Sequence, residues 1–144
     1  MSFGRNIIGE KSKEEILKII YSDEFKSIFL NNNINNVIVF GSLSKNGFNE
    51  ESDIDIAVIG DEKIKSSVDL KISLELEELL NRSIDFIDIN DDEIDNIIKI
   101  EALNSDLVIL KDKNYDIAFN KYDQIYKENN EFWSRLDRVV LYDE

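Results

Sequence analysis

Val37-Ile38-Val39-Phe40 is an unbroken apolar run of four residues that stops at Gly41-Ser42. Four residues are too few for a stable helix, and a run without alternation has no side to turn to water. It reads as a short strand buried on both faces. Such a strand needs a layer above and a layer below it, so the rest of the chain has to supply covering helices and partner strands.

Ser12 and Glu15 have the spacing of a capping box, and Ile16, Leu17, Ile19 and Ile20 follow. This predicts a helix from near Ser12, interrupted at Ser22 or Asp23. Asn31-Asn32-Asn33 favours a turn before the buried strand. Leu43 to Ser52 is polar, with Gly47 as a hinge candidate. A second strand reads from Asp53 to Ile59, placing Asp53 and Asp55 on one face and Ile54 and Ile56 on the other. Gly60-Asp61 closes it and offers an N-cap to a helix over about Asp61 to Asn81, in which Ile64, Val68, Ile72, Leu76, Leu79 and Leu80 recur at helical spacing. A third strand reads from Ser83 to Ile89. Asn90 and Glu93 repeat the capping pattern before Ile94, Ile97 and Ile98, and Asp106 to Leu110 reads as a further short strand. Tyr115, Phe119, Tyr122 and Tyr126 form a helical stripe in a last helix from about Asn114. No repeat, linker or low-complexity tail breaks this alternation. Residues 1–144 therefore read as a single α/β (α+β) domain, a small sheet packed against helices.

The chain carries 17 Lys and Arg against 31 Asp and Glu, a formal charge of −14, and has neither histidine nor cysteine. A body this negative repels phosphate backbones, which argues against direct nucleic-acid binding. Cysteine nucleophiles, disulfides, imidazole catalysis and the usual zinc, iron or copper ligand sets are all excluded. The remaining carboxylates suit hard cations such as Mg²⁺. No stretch approaches the roughly 20 apolar residues of a membrane span, and Met1-Ser2-Phe3-Gly4-Arg5 lacks the apolar core of a secretion signal. The expectation is a soluble, cytoplasmic protein with no membrane partner.

Chemistry concentrates in Gly41-Ser42, ten intervening residues, and Asp53-Ile54-Asp55. Each piece alone is common, because an acidic pair is usually a solvated face. Their placement adds information. Gly-Ser ends a buried strand, where backbone N–H groups come free for an anion, and the Asp pair opens the next strand. Two residues along a strand span about 6.5–7 Å, so both carboxylates can lean onto one cation or straddle two. A third carboxylate lies in Ile84-Asp85-Phe86-Ile87-Asp88-Ile89, where Asp85 and Asp88 point to opposite faces and at most one can join the site. An Asp between apolar strand neighbours is costly to bury unless it meets a metal or a donor. Two hard cations on three carboxylates, beside a turn able to hold a triphosphate, would make a site for in-line nucleotidyl transfer. Ser42 as a hydrolase nucleophile is excluded by the absence of histidine, which leaves it to phosphate binding.

The stretch Gly41-Ser42-(x)₁₀-Asp53-Ile54-Asp55, with Ser52 ahead of the pair, resembles the signature of the polymerase-β-type nucleotidyltransferases. At this length the likeness is to the minimal nucleotidyltransferases, in particular MntA-like antitoxins paired with HEPN toxins. The resemblance implies that Asp85, not Asp88, is the third ligand, and that Asp53, Asp55 and Asp85 are catalytic and bind two Mg²⁺ ions. It further implies that Gly41 and Ser42, with Lys45 adding charge, hold ATP. The activity implied is transfer of AMP from ATP to a tyrosine of the HEPN ribonuclease. Where this family often carries Arg-Gly, the chain has Lys45-Asn46, so a bidentate guanidinium gives way to a point charge, and Gly47 offers the loop's glycine one position later.

Two other classes compete: transfer to a small molecule or an RNA end, and an antitoxin that only binds its toxin. The first generally needs an acceptor domain or a basic patch for which this chain has little room. The second is opposed by the intact acidic set. An acidic surface also suits a basic ribonuclease partner, since opposite charges speed encounter. The stripe Tyr115, Phe119, Tyr122, Tyr126, extended by Trp133, fits either the chain's own core or a partner or homo-oligomer surface on the last helix.

Overall fold

The computed structural model describes residues 11–128. The Ser12 side chain accepts from the Glu15 amide at 3.2 Å while the Ser12 amide donates to Glu15 Oε1 at 3.0 Å, a closed capping box that starts α1 (Lys13–Ile20). Ser22 caps α2 (Asp23–Leu30) in turn, so the expected interruption is a helix-to-helix junction. After Asn33, which takes the left-handed conformation at φ 59°, the chain enters β1 (Val37–Phe40), buried at every position. A one-turn 3-10 helix, Gly41–Ser44, leaves β1. Then come β2 (Ile54–Val58), α3 (Ser66–Leu80), β3 (Ile84–Asp88), α4 (Asn96–Leu103), β4 (Leu107–Leu110) and α5 (Lys113–Glu128).

The sheet order is β3-β2-β1-β4, with β2 antiparallel to β1, β3 parallel to β2 and β4 antiparallel to β1. The parallel pair requires a crossover, which α3 supplies. One face of the sheet, carrying Ile54, Ile56, Val58, Val37 and Val39, packs on Ile16, Ile20, Phe25, Phe29, Ile72, Leu76 and Leu80 of α1, α2 and α3. The other face, with Ile38, Phe40, Ala57 and Ile87, packs on Ala102 and Leu103 of α4 and Ala118 and Tyr122 of α5. The mixed α/β reading holds, and the two-sided burial of β1 follows from these layers. Among the described residues no helix is long and apolar enough to cross a membrane.

Two helix starts depart from expectation. The helix expected from Asp61 begins at Ser66, because the Ile64 amide donates to Asp88 Oδ2 at 2.7 Å and the Asp61 carboxylate accepts from Asn114 Nδ2 at 2.8 Å. The segment after β2 is thus tied to β3 and α5 instead of winding. The cap expected at Asn90 and Glu93 does not form either. Asn90 Nδ2 donates to the Gly60 carbonyl at 2.9 Å, and α4 starts at Asn96 behind Asp95. Both local signals lose to tertiary hydrogen bonds. The aromatic stripe faces the chain's own core: Tyr122 is buried, and Tyr115 and Phe119 pack against the same cluster. Trp133 lies outside the described residues.

Candidate active site

Register builds the site. Phe40 of β1 stands opposite Asp55 of β2, and Asp55 stands opposite Asp85 of β3. Partners across a ladder share a face, so both carboxylates project on the α4 and α5 side of the sheet, at the end where β1 gives way to the 3-10 turn. Asp53 lies two residues before Asp55, is exposed, and extends the same face. Asp55 is half-buried; Asp85 is exposed. Asp85 therefore escapes the burial cost that its apolar neighbours suggested. The buried acid of β3 is Asp88, 6% exposed, and it is fully engaged by the amides of Ile64 and Asn90. Asp88 is structural and points away.

Gly41 completes the corner. Its φ is +73°, in the left-handed region that favours glycine, and a Cβ there would overlap the Asp55 carboxylate. The Asp55 carboxylate thus packs directly on the backbone of the turn. No side chain caps the turn at Phe40; Ser44 Oγ closes it from within by donating to the Gly41 carbonyl at 2.9 Å. Ser42 is half-buried on the same turn. Gly47, farther along the same loop, adopts φ +100°, a conformation that favours glycine.

Burial and neighbouring negative charge both favour the protonated form of Asp55. The Asp55 carboxyl is pushed up to about 6, first by burial and then by the charges of Asp85, Glu101 and Asp53, with a hydrogen bond to Asp85 adding to the effect. Glu101, on α4, has no motif to announce it and was missed in the sequence. It pairs with Lys45 across a cleft, Nζ to Oε2 3.6 Å, and the Lys45 carbonyl accepts from Lys13 Nζ at 3.1 Å. This cleft, about 470 Å³ in volume, is lined by Gly41, Ser44, Lys45, Glu101, Asn104 and Tyr126 among others. Asp53, Asp55 and Asp85 are not part of its wall; Asp55 meets it through Gly41, against which its carboxylate packs. The arrangement is a mid-sized groove leading to an acidic corner.

The donor set fits a hard divalent cation, being all carboxylate oxygen with Asp55 and Asp85 side by side across the ladder. Among the described residues no three acids stand at coordinating spacing. Like-charged carboxylates draw together around a cation and otherwise share a proton or splay apart.

Residues 23–115, more than half of the chain, match the family described as polymerase beta, nucleotidyltransferase. The chain belongs to this family. Solved structures share the nucleotidyltransferase fold. A chain from a crystal structure of a toxin–antitoxin pair with AMP-PNP aligns with TM-score 0.65 at 17% identity, covering 82% of this chain and 97% of that one. A chain from the complex of a tri-AMPylated Shewanella oneidensis HEPN toxin with its MNT antitoxin aligns with TM-score 0.63 at 16% identity, covering 87% and 98%. One from the toxin–antitoxin MntA-HepT aligns with TM-score 0.55 at 15% identity, covering 89% and 96%. No curated protein matches by sequence.

Proposed function

We propose that this nucleotidyltransferase transfers AMP from ATP to a tyrosine of a HEPN-type ribonuclease toxin and so acts as its antitoxin. The observation that carries the reading is the corner itself: Asp55 opposite Asp85, with Asp55 packed on the backbone of Gly41. A fold shared with MNT antitoxins in complexes with HEPN toxins, one of them AMPylated, supports the choice of acceptor.

In this reading Asp53, Asp55 and Asp85 would hold divalent ions, Mg²⁺ being the natural choice, which lower the acceptor's pKa and neutralise the departing pyrophosphate. Gly41 and Ser42 bind the triphosphate through the turn's amides, and Lys45 swings from Glu101 to add a point charge. The tyrosyl oxygen attacks the α-phosphorus while its proton passes to the Asp85 carboxylate, whose exposure leaves it open to an incoming acceptor. One P–O bond forms to tyrosine, the bond from the α-phosphorus to the bridging oxygen breaks, and pyrophosphate leaves. The acidic surface of the chain, whose formal charge is −14 in all, steers a basic partner toward it.

Intact-mass measurement tests this directly. With ATP, Mg²⁺ and a HEPN-type partner, the partner should gain about 329 Da per AMP, the mass of a nucleotidyl group from which pyrophosphate has left. Asp53→Ala or Asp55→Ala should abolish the gain while leaving the complex intact. A wild-type complex that forms without any mass gain would leave a binding-only antitoxin.

A further inference from the structure

Arg82, the one arginine among the described residues, is 6% exposed, and its hydrogen bonds among them go to backbone carbonyls and to no carboxylate. Its Nη1 donates to two backbone carbonyls, Asn49 at 2.8 Å and Ser52 at 2.8 Å, and its Nη2 to the Lys11 carbonyl at 3.3 Å. The guanidinium plane also covers the Phe48 ring, 4.6 Å from its centroid. Apart from the Lys11 carbonyl ahead of α1, these contacts grip a single loop, the one joining the Gly41–Ser44 turn to β2. Asn49 and Ser52 close a turn inside that loop, the Asn49 amide donating to Ser52 Oγ at 3.0 Å and the Ser52 amide to the Asn49 carbonyl at 3.2 Å. The residue after Arg82 takes part as well: the Ser83 carbonyl accepts from the Ile54 amide at 3.0 Å. Asp53 is thereby bracketed, with Ser52 held by the Arg82 side chain and Ile54 by the Ser83 backbone.

We propose that Arg82 is a positioning residue that sets Asp53 at the acidic corner and, through the loop, fixes the spacing between Asp53 and the Gly41-Ser42 turn. The proposal rests on the reading of Asp53 as a cation ligand. Nη1 alone reaches both loop carbonyls, while the second nitrogen reaches Lys11 and the guanidinium plane lies over Phe48; a lysine ammonium keeps donors for the loop but has neither the second nitrogen nor the flat face. The cost of burying a cation without a carboxylate is spent on holding a loop that has no strand or helix of its own. Groups that orient ligands from behind typically change metal affinity about 10–100-fold when removed.

The test uses Mn²⁺ as the probe, its dissociation constant read by electron paramagnetic resonance of the free ion, on full-length wild type, Arg82→Ala and Arg82→Lys. Circular dichroism at the same temperature verifies that each is folded. The expected result is Mn²⁺ affinity weakened about tenfold or more in Arg82→Ala and less in Arg82→Lys, the conservative variant rescuing part of the loss. A merely structural arginine would lower the unfolding temperature and leave the affinity of the folded protein unchanged, and that result would overturn the proposal. Should Arg82→Ala fail to fold, Arg82→Met, which keeps the bulk and removes every donor, decides instead: wild-type affinity in it overturns the role. Wild-type protein that bound no Mn²⁺ would overturn the metal reading and this inference with it, whereas wild-type binding with unaltered variants would overturn the role of Arg82 only.

Discussion

Gly41 and Gly47 share a backbone conformation and differ in what surrounds them, which makes them a matched pair. Both have positive φ, +73° and +100°, but a Cβ at Gly41 would collide with Asp55 whereas one at Gly47 would meet nothing within 4 Å. Alanine at either position carries the left-handed penalty of about 1–2 kcal/mol. Gly47→Ala should therefore cost stability of that order in urea denaturation and leave Mn²⁺ binding near the wild-type value. Gly41→Ala should cost more and also weaken Mn²⁺ binding, because Asp55 has to move. Equal effects in the two variants would mean that the close approach of Asp55 to the turn has no functional weight. Glu101 belongs to the same scale: its charge reaches Asp55 only because α4 is laid across the sheet.

Among the helices, α1 and α2 start on local chemistry, at Ser12 and Ser22, and α1 carries the full capping box. The reciprocal Ser12–Glu15 hydrogen bonds satisfy two backbone amides, and the Ser12 amide, ahead of its hydroxyl, holds the Glu15 carboxylate below its usual range. Ser12→Ala should destabilise the protein by about 1 kcal/mol in urea denaturation. A loss near zero would show that packing of Ile16 and Ile20 alone sustains the helix. Because the folded-state value of Glu15 is lowered, the cap's electrostatic contribution is present above the ordinary carboxylate value and is lost as the pH falls through the lowered one. At α3 and α4 the balance is reversed. There, Asp88 and Asn90 bind the segments ahead of the helices, and the helices begin several residues later than their sequences suggest.

For the molecule as a whole, the acidic corner is a stability liability when no cation is bound. Asp55 has a folded value near 6 against an ordinary 3.8, so its contribution to stability is fully present below about 3.8 and is lost as the pH rises through about 6. Metal-free wild type should therefore lose stability across that window relative to Asp55→Asn, as read by the unfolding temperature against pH. Mg²⁺ should restore the loss near neutrality, since it neutralises the same charges. Parallel curves for the two proteins without metal would show that neither burial nor the neighbouring acids raise Asp55 in the folded state. Most of the remaining acids among the described residues, buried Asp88 apart, are on the surface, where they act on encounter with a partner and little on the fold.

Much was legible in the residues alone. The unbroken apolar run dictated a two-sided strand, alternation in Asp53-Ile54-Asp55-Ile56 put both acids on one face, and the break at Ser22 separated two helices, because strand period, helix period and capping are all properties of neighbouring residues. Opposite faces for Asp85 and Asp88 were legible for the same reason. Which of the two meets Asp55 by contact was decided by the parallel register of β2 and β3, a pairing across a 15-residue crossover helix that no local pattern encodes. Tertiary structure likewise decided the late starts of α3 and α4, the approach of Glu101, and the grip of Arg82 on the loop before Asp53. Each of these depends on hydrogen bonds or charges between residues far apart in the chain, whose partners exist only once the sheet has closed between its two layers of helices.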